Sequence, residues 1–395
     1  MKINIGYLII REEVFSPIVR TQVIDMLKSL NKEKFKPYII WACRVDYYFK
    51  KRNEYELLKS ELNSCGIELI RLPIMVLKFP LSESQIKFLS KQLIGKVRNL
   101  IKKEDISVLH ARGYNAGYII SHVAKKENVN TIFDARSPYI TEIQTTYGVE
   151  KDSNKFEFWK HTEQFIVENC TKTIAVTKTF KQYLEQYQGD VVHIPNNANV
   201  SSETILEKSK DQRRNAICYV GSIGYGWNDV RQYAQLTKKL CEKYKELSFE
   251  YYVMPNGIPI VEKEFEDHGI PRERYSICTE KPEKIKDRIS GSLCGLQIMS
   301  RPDVRMGIKT VDYLSAGIPI ICNSNAIGCK EVVEEFEVGI CLDLCSEQDL
   351  YNFIERQYNN NMEMAERCLK VATDNFSTKA VAQMYEQCYE NTIKD

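Results

Sequence analysis

The sequence has no long apolar run. Nothing in its 395 residues approaches the roughly 18 consecutive apolar residues that a membrane-spanning helix needs. Its opening, MKINIGYLIIREE, is too short in its apolar part and too soon charged for a secretory signal, and reads as a first strand. Histidine is scarce, with five, and the thirteen cysteines are scattered, odd in number and free of any CxxC pair. Neither a disulfide framework nor a zinc site is indicated, and a reducing, cytoplasmic setting is expected. Net charge is small as well, at +2, and no nucleic-acid module is recognisable, so no nucleic-acid partner is expected. Fixed short repeats and low-complexity tracts are absent too, which excludes solenoids and tails.

The near-neutral total hides a split. Residues 1–200 carry 30 Lys+Arg against 22 Asp+Glu, and the remaining 195 carry 25 against 31, which suggests halves that meet different partners. What fills both halves is alternation. Short apolar runs near 2–10, 36–43, 67–71, 106–110, 130–134, 172–176 and 190–194 read as strands, with helical periods between them. Runs such as YIIWAC and TIAV are apolar on both faces, as in a parallel sheet covered by helices. Periodicity lapses in NNANVSSETILEKSKDQRRN and resumes at AICYVG, with strands near 216–221, 248–254, 274–278, 293–298, 318–322 and 338–342. The expected fold class is α/β, with two doubly wound Rossmann-like domains facing across a cleft. Their bounds are 1–197 for the N-terminal domain, 198–215 for a linker and 216–375 for the C-terminal domain. Residues 376–395 are expected to close the chain as a helix that packs back on the N-terminal domain.

Ligands of such sheets lie beyond the carboxyl ends of the strands, so those ends supply the candidates. Ser16 is a good N-cap and Pro17 a good first residue for a core helix, whose positive end favours anions. GSIGYGW at 221–227 spaces its glycines as GxxGxG, which is not the dinucleotide fingerprint, yet Gly224 and its neighbours let backbone amides approach a phosphate. VLHARGYNAG places His110 and Arg112 at one strand end, and FDARSPYITE places Asp134, Arg136 and Glu142 at another; some of these are expected to contact substrate. RPDVRMGIKTVDYLSAGIPIICN, at 301–323, gathers Arg301, Arg305 and Lys309 around Gly307 where a helix begins. Cations beside free helix amides suit a phosphate or diphosphate. No DxD pair occurs anywhere, which argues against a metal-bridged diphosphate and leaves fixed cations in the metal's role.

KTVDYLSAGIPIICNSNAIGCKEVV, at 309–333, resembles the C-domain signature of retaining family 4 glycosyltransferases with the GT-B fold. LHARGY, FDARSPYITE, TIAVTKTF, VVHIPNNAN, CYVGSIGYGW and FSTKAVAQMYEQCYE follow in the order such enzymes show, so the resemblance covers nearly the whole chain. It implies transfer of a sugar from a nucleotide-diphosphate sugar to an acceptor hydroxyl, with the donor in the C-terminal domain and the acceptor in the N-terminal one. By this resemblance Asp312 takes the place of the Glu that holds the ribose hydroxyls, and Ser222 stands where many members have a cation. Val304 occupies the position of a second Glu, for which Asp303 is a possible substitute. Arg305, Lys309 and His110 are the expected catalytic residues. Ser222, Gly224, Gly307, Asp312 and Gly328 are expected on the donor, and Ser16, Arg112, Arg136 and Glu142 on the acceptor or sugar.

No cofactor and no metal are expected, only the donor and a glycan or lipid-linked acceptor, in a bacterial surface polysaccharide or glycolipid pathway. Residues 78–103 carry seven Lys+Arg and one Glu around apolar positions at 86, 89, 93, 97 and 100. They could rest peripherally on anionic membrane, at its inner face. A sugar-nucleotide epimerase of the same fold and a non-catalytic nucleotide-sugar-binding accessory protein are the alternatives.

Overall fold

The computed structural model describes residues 2–75, 79–200, 214–224, 227–360 and 362–394. The chain forms two compact units, Met1–Pro195 with Thr378–Asp395 and Asn196–Ser377.

Unit 1 is built on seven parallel strands: β1 (Ile3–Ile10), β2 (Phe35–Arg44), β3 (Glu68–Ile74), β4 (Val108–Arg112), β5 (Asn130–Asp134), β6 (Lys172–Ala175) and β7 (Val191–His193). Their order is β3-β2-β1-β4-β5-β6-β7, which reverses direction between β1 and β4. Register sets Tyr7 beside His110, Ile9 beside Arg112, and Arg112 beside Asp134. The apolar strands are buried as their composition demands, with Tyr7, Leu8 and Ile9 all closed to solvent. Helix α1 (Glu83–Lys103) opens on a full capping box at Ser82 and Gln85, and turns Ile86, Leu89, Leu93 and Val97 inward.

The helical period expected over 17–30 is not one α-helix. Pro17–Val19 and Met26–Ser29 flank a π-helical turn, Arg20–Asp25, in which Gln22 is buried. Such a bulge re-aims side chains and occurs often at functional sites.

Unit 2 holds six parallel strands: β8 (Ala216–Gly221), β9 (Ser248–Val253), β10 (Tyr275–Cys278), β11 (Cys294–Gln297), β12 (Ile320–Cys322) and β13 (Gly339–Cys341). They lie in the order β10-β9-β8-β11-β12-β13, reversing between β8 and β11. Helix α2 (Ile308–Ser315) precedes β12, and helix α3 (Ile327–Phe336) follows it. α2 ends abruptly because Gly317 takes the left-handed conformation, φ +71°, and the chain turns at once into Ile318-Pro319 and β12.

The start of the expected 198–215 linker is not free chain. Ala198 is buried, donates its N–H to Phe376 O at 2.9 Å and pairs with Ser377 inside unit 2. Residues 201–213 of that linker lie outside the described residues. The last helix, α4 (Thr378–Lys394), belongs to unit 1, where Val381, Ala382, Tyr385, Cys388 and Tyr389 share a core with Ile5, Tyr7 and Val108. No described helix is long and apolar enough to cross a membrane.

Candidate functional site

In a doubly wound sheet the strand-order reversal opens a crevice at the carboxyl ends of the two central strands. In unit 2 these are β8 and β11. β8 ends at Gly221, whose φ of +142° favours glycine, and a Cβ there would lie 3.0 Å from Lys309 Nζ. Lys309 is the second residue of α2, after the N-cap Gly307. Its amine sits 3.3 Å from the Tyr219 hydroxyl and 4.5 Å from the centre of that ring. Burial pushes this ammonium down to about 8, and no carboxylate offsets the effect. A cation held this way lacks a counter-ion among the described residues.

The start of α2 is pinned to β11 by Thr310, whose hydroxyl donates to Gln297 Oε1 at 2.8 Å. A side chain at Gly307 would approach Gln297 Nε2 to 3.2 Å, so glycine lets loop and strand meet closely. Asp312 lies three residues beyond Lys309, on the same face of α2. Burial raises its carboxyl to about 6, and the nearby Lys286 works in the opposite direction. Lys286 is itself lowered by burial and donates to the carbonyl of Asn199.

Two donor expectations change here. Arg305 is not a free cation: its Nε donates to both Asp303 oxygens, at 2.8 and 3.0 Å, and its Nη2 to Oδ2 at 2.6 Å. The loop turns back so that Asp303 also accepts the Arg305 N–H at 2.9 Å, which fixes the pair and neutralises it. Asp303 is thus the partner of Arg305 and is not held free for a donor sugar. Gly328 is a packing residue: a Cβ there would lie 2.7 Å from the Arg305 carbonyl, so glycine lets α3 press on the 305–306 backbone. Ser222 and Gly224 follow β8; the Ser222 carbonyl accepts from Tyr219 Oη at 3.1 Å and Asn228 Nδ2 at 2.7 Å, and Gly224 has φ +96°. Tyr225 and Gly226 of that loop lie outside the described residues.

In unit 1 the reversal falls between β1 and β4. His110, expected to be catalytic, is fully buried inside β4. Its ring lies 4.2 Å from that of Tyr7 and is flanked by Tyr385 and Tyr389 of α4, with the Tyr389 hydroxyl 2.9 Å from Nδ1. Burial lowers its pKa against the pull of Asp134, so the ring is neutral and sealed. It supports the strand ends and does not reach substrate. Burial would raise the Asp134 carboxyl, but Arg136, His110 and Arg112 outweigh it and hold it at about 2.

Arg112, Asp134 and Arg136 do come together. Arg136, at φ +59°, lies 3.4 Å from Asp134 and donates Nη2 to Gln22 Oε1 at 3.0 Å, which is what the π-helical turn makes possible. Arg112 donates Nε to Glu12 Oε2 at 2.9 Å. Ser16 and Glu142 serve local structure: the Ser16 hydroxyl accepts from Val19 N–H at 3.3 Å, and Glu142 accepts from Ser137 Oγ at 2.8 Å. Arg11, Tyr219 and Lys286 were not foreseen. Arg11 sits one residue beyond a strand end, a rule that could have found it; Tyr219, inside β8, and Lys286 have no such signal.

The cationic face of residues 78–103 is weaker than its sequence suggests. Lys87 pairs with Glu83, Arg98 and Lys102 with Glu127, and Lys103 with Glu104. Lys78 lies outside the described residues. No group of three or more His, Cys, Asp or Glu among the described residues is placed to hold a metal.

Residues 19–201 match the model of Glycosyltransferase Family 4. No curated protein matches the chain in sequence. Solved structures do match its fold over essentially their whole length. The chain is similar to sucrose-phosphate synthase (tll1590) from Thermosynechococcus elongatus, at 13% identity and a TM-score of 0.69, covering 100% of both chains. It is similar to a glycosyltransferase from Rickettsia africae, at 15% identity and a TM-score of 0.68, covering 100% of this chain and 99% of that one. Anabaena Alr3699/HepE, solved in complex with UDP, matches at 12% identity and a TM-score of 0.67, over 99% of this chain and 100% of its own. The two doubly wound sheets have the GT-B fold of these structures, and the likeness to Glycosyltransferase Family 4 runs through residues 19–201, most of unit 1.

Proposed function

We propose that the protein transfers a sugar from a uridine-diphosphate sugar to an acceptor hydroxyl with retention of anomeric configuration, in the building of a bacterial surface glycan or glycolipid. The observation that carries this reading is the Lys309 ammonium, partly buried at the end of β8 and without a counter-ion among the described residues. A diphosphate is the partner it lacks. The uridine assignment rests on the likeness to Alr3699/HepE, which has been solved with UDP and with UDP-glucose.

In the reaction the bond from the anomeric carbon to the diphosphate oxygen breaks, and the acceptor oxygen bonds to that carbon on the same face. The acceptor proton passes to the departing phosphate, so no side-chain base is required. Lys309 meets the negative charge that develops on the leaving group, aided by the amides after Gly307. Asp312 accepts the ribose hydroxyls one turn along α2; a carboxyl raised to about 6 is still mostly ionised at neutral pH. Protein cations take the role a metal would otherwise play, and activity is expected to survive EDTA. A peripheral contact with anionic lipid would rest on the exposed Lys91 and Lys96 of α1; sedimentation with anionic vesicles at low salt tests it.

Incubation with UDP-glucose and a panel of glycan and lipid-linked acceptors, followed by NMR of the product's anomeric proton, tests the proposal. A glycoside with the donor's configuration is the expected product. Conversion of the donor without any acceptor, or an inverted product, would contradict it.

A further inference from the structure

The carboxyl end of β1 holds a second lone cation. Arg11 follows Ile10 directly, with a left-handed φ of +69°, and its guanidinium lies 4.4 Å over the Phe79 ring. Its Nη1 is buried and meets no hydrogen-bond acceptor among the described residues, and the residue itself is partly open to solvent. The titratable side chains near it are the neutral phenols of Tyr147 and Tyr139 and the like-charged Arg44; no carboxylate is among them.

Arg11 does not stand alone. Register places Arg112 opposite Ile9, two residues earlier in the chain. Arg112 is buried, spends Nε on Glu12, the residue next to Arg11, and leaves Nη1 buried without an acceptor. The Tyr139 hydroxyl is a third buried group near Arg11 with no partner. All three can donate, and none has found an acceptor. Buried donors left unpaired bear their full desolvation cost, guanidinium arms most of all. Arg11 Nη1 and the Tyr139 hydroxyl, whose side chains both pack on the Phe79 ring, leave two open donors for an oxyanion, which Arg is well suited to grip.

We propose that unit 1 binds an anionic group of the acceptor, a phosphate or a carboxylate, on Arg11 and the Tyr139 hydroxyl. The anion site stands on these residues alone; its assignment to the acceptor rests on the glycosyl-transfer reading above. The acceptor is then an acidic sugar chain or a phosphate-bearing lipid, and not a neutral glycan.

The test uses the full chain carrying Lys309→Ala, so that the donor site in unit 2 does not compete. Inorganic phosphate and glucuronate are titrated separately by thermal shift at constant ionic strength. At least one should raise the melting temperature saturably, and Arg11→Gln added to Lys309→Ala should weaken that response at least tenfold. A response to phosphate alone marks a phosphate-bearing acceptor, and to glucuronate alone an acidic sugar. Arg11 makes no side-chain hydrogen bond among the described residues that its loss would break, so Arg11→Gln should fold. Response to neither anion, or one that Arg11→Gln leaves intact, overturns the site. UDP titrated in parallel on the wild-type chain separates the readings: absent UDP binding with intact anion binding sinks the transferase account and leaves the Arg11 site standing.

Discussion

The two units share one plan and use it differently. Each reverses its strand order beside its first strand, and each sets a cation without a carboxylate partner at that strand's end: Arg11 after β1 and Lys309 against the end of β8. Arg11 comes from the strand's own continuation, with Tyr139 near it, while Arg112, Glu12, Asp134 and Arg136 form ion pairs at the strand ends of the same unit. Lys309 comes from a helix that leans back over the strand, and its surroundings are tyrosine and glycine, with Asp312 the acid one turn on. Topology therefore sets where each proposed anion site lies. The neighbouring side chains decide which anion: a planar, forked guanidinium in unit 1, and a point charge beside free amides in unit 2.

The largest effect should come from removing the unit 2 cation. Lys309→Ala should lower turnover of a UDP-sugar by ~10²–10³, as loss of one group that stabilises developing charge typically does. Release of UDP, measured continuously, reads this out; a loss below threefold would erase the contrast with unit 1.

Next comes the tightness of packing in the two units. A Cβ at Gly339 in β13 would fall 2.0 Å from the Ile320 carbonyl, which is backbone and cannot give way, whereas at Gly117 it would meet the Phe133 ring at 2.7 Å. Gly339→Ala should cost about 3 kcal/mol and Gly117→Ala nearer 1 kcal/mol, within the usual range for overpacking. Urea midpoints compare them, and the reverse order would show that unit 1 is the more rigid frame.

The pH dependence separates the cations again. With the Lys309 ammonium at about 8, nucleotide affinity should fall as pH rises above that value, by up to tenfold per unit, because the charge that binds the diphosphate is lost. Anion binding at Arg11 should stay flat over the same range, since a guanidinium keeps its proton. Calorimetric titrations between pH 7 and 10 measure both.

The smallest effect concerns Asp312. Its folded carboxyl, raised to about 6, lies above the value of about 3.9 in an unfolded chain. Between those values the folded chain holds a proton that the unfolded chain has lost, so this group makes stability rise as pH falls from 7 towards 4. Asp312→Asn should remove that rise, seen as a flatter urea midpoint against pH. An unchanged slope would show that the carboxyl is not desolvated.

Much of the frame was legible because it depends on local pattern. Each strand expected from an apolar run is present, since strands buried on both faces leave a continuous signature, and the strand-end rule led to Arg112, Arg136 and Lys309. What was not legible depends on contacts distant in sequence or on backbone detail. His110 looked like a strand-end reagent until Tyr385 and Tyr389, more than 270 residues later, closed over it. Arg305 and Asp303 are two residues apart, yet only the turn of their loop decides that they neutralise each other. The π-helical turn that brings Gln22 to Arg136 leaves no mark in the apolar spacing. Arg11 was passed over because it read as the polar end of a strand, and its isolation is a property of what surrounds it.

The central claim is that Lys309 holds the donor's diphosphate, and calorimetric titration of UDP into the wild-type chain and Lys309→Ala at pH 7 tests it most directly. Saturable binding to the wild type, weakened at least tenfold in the variant while its melting temperature holds, is the predicted result. Equal UDP affinity in the two chains would contradict the account.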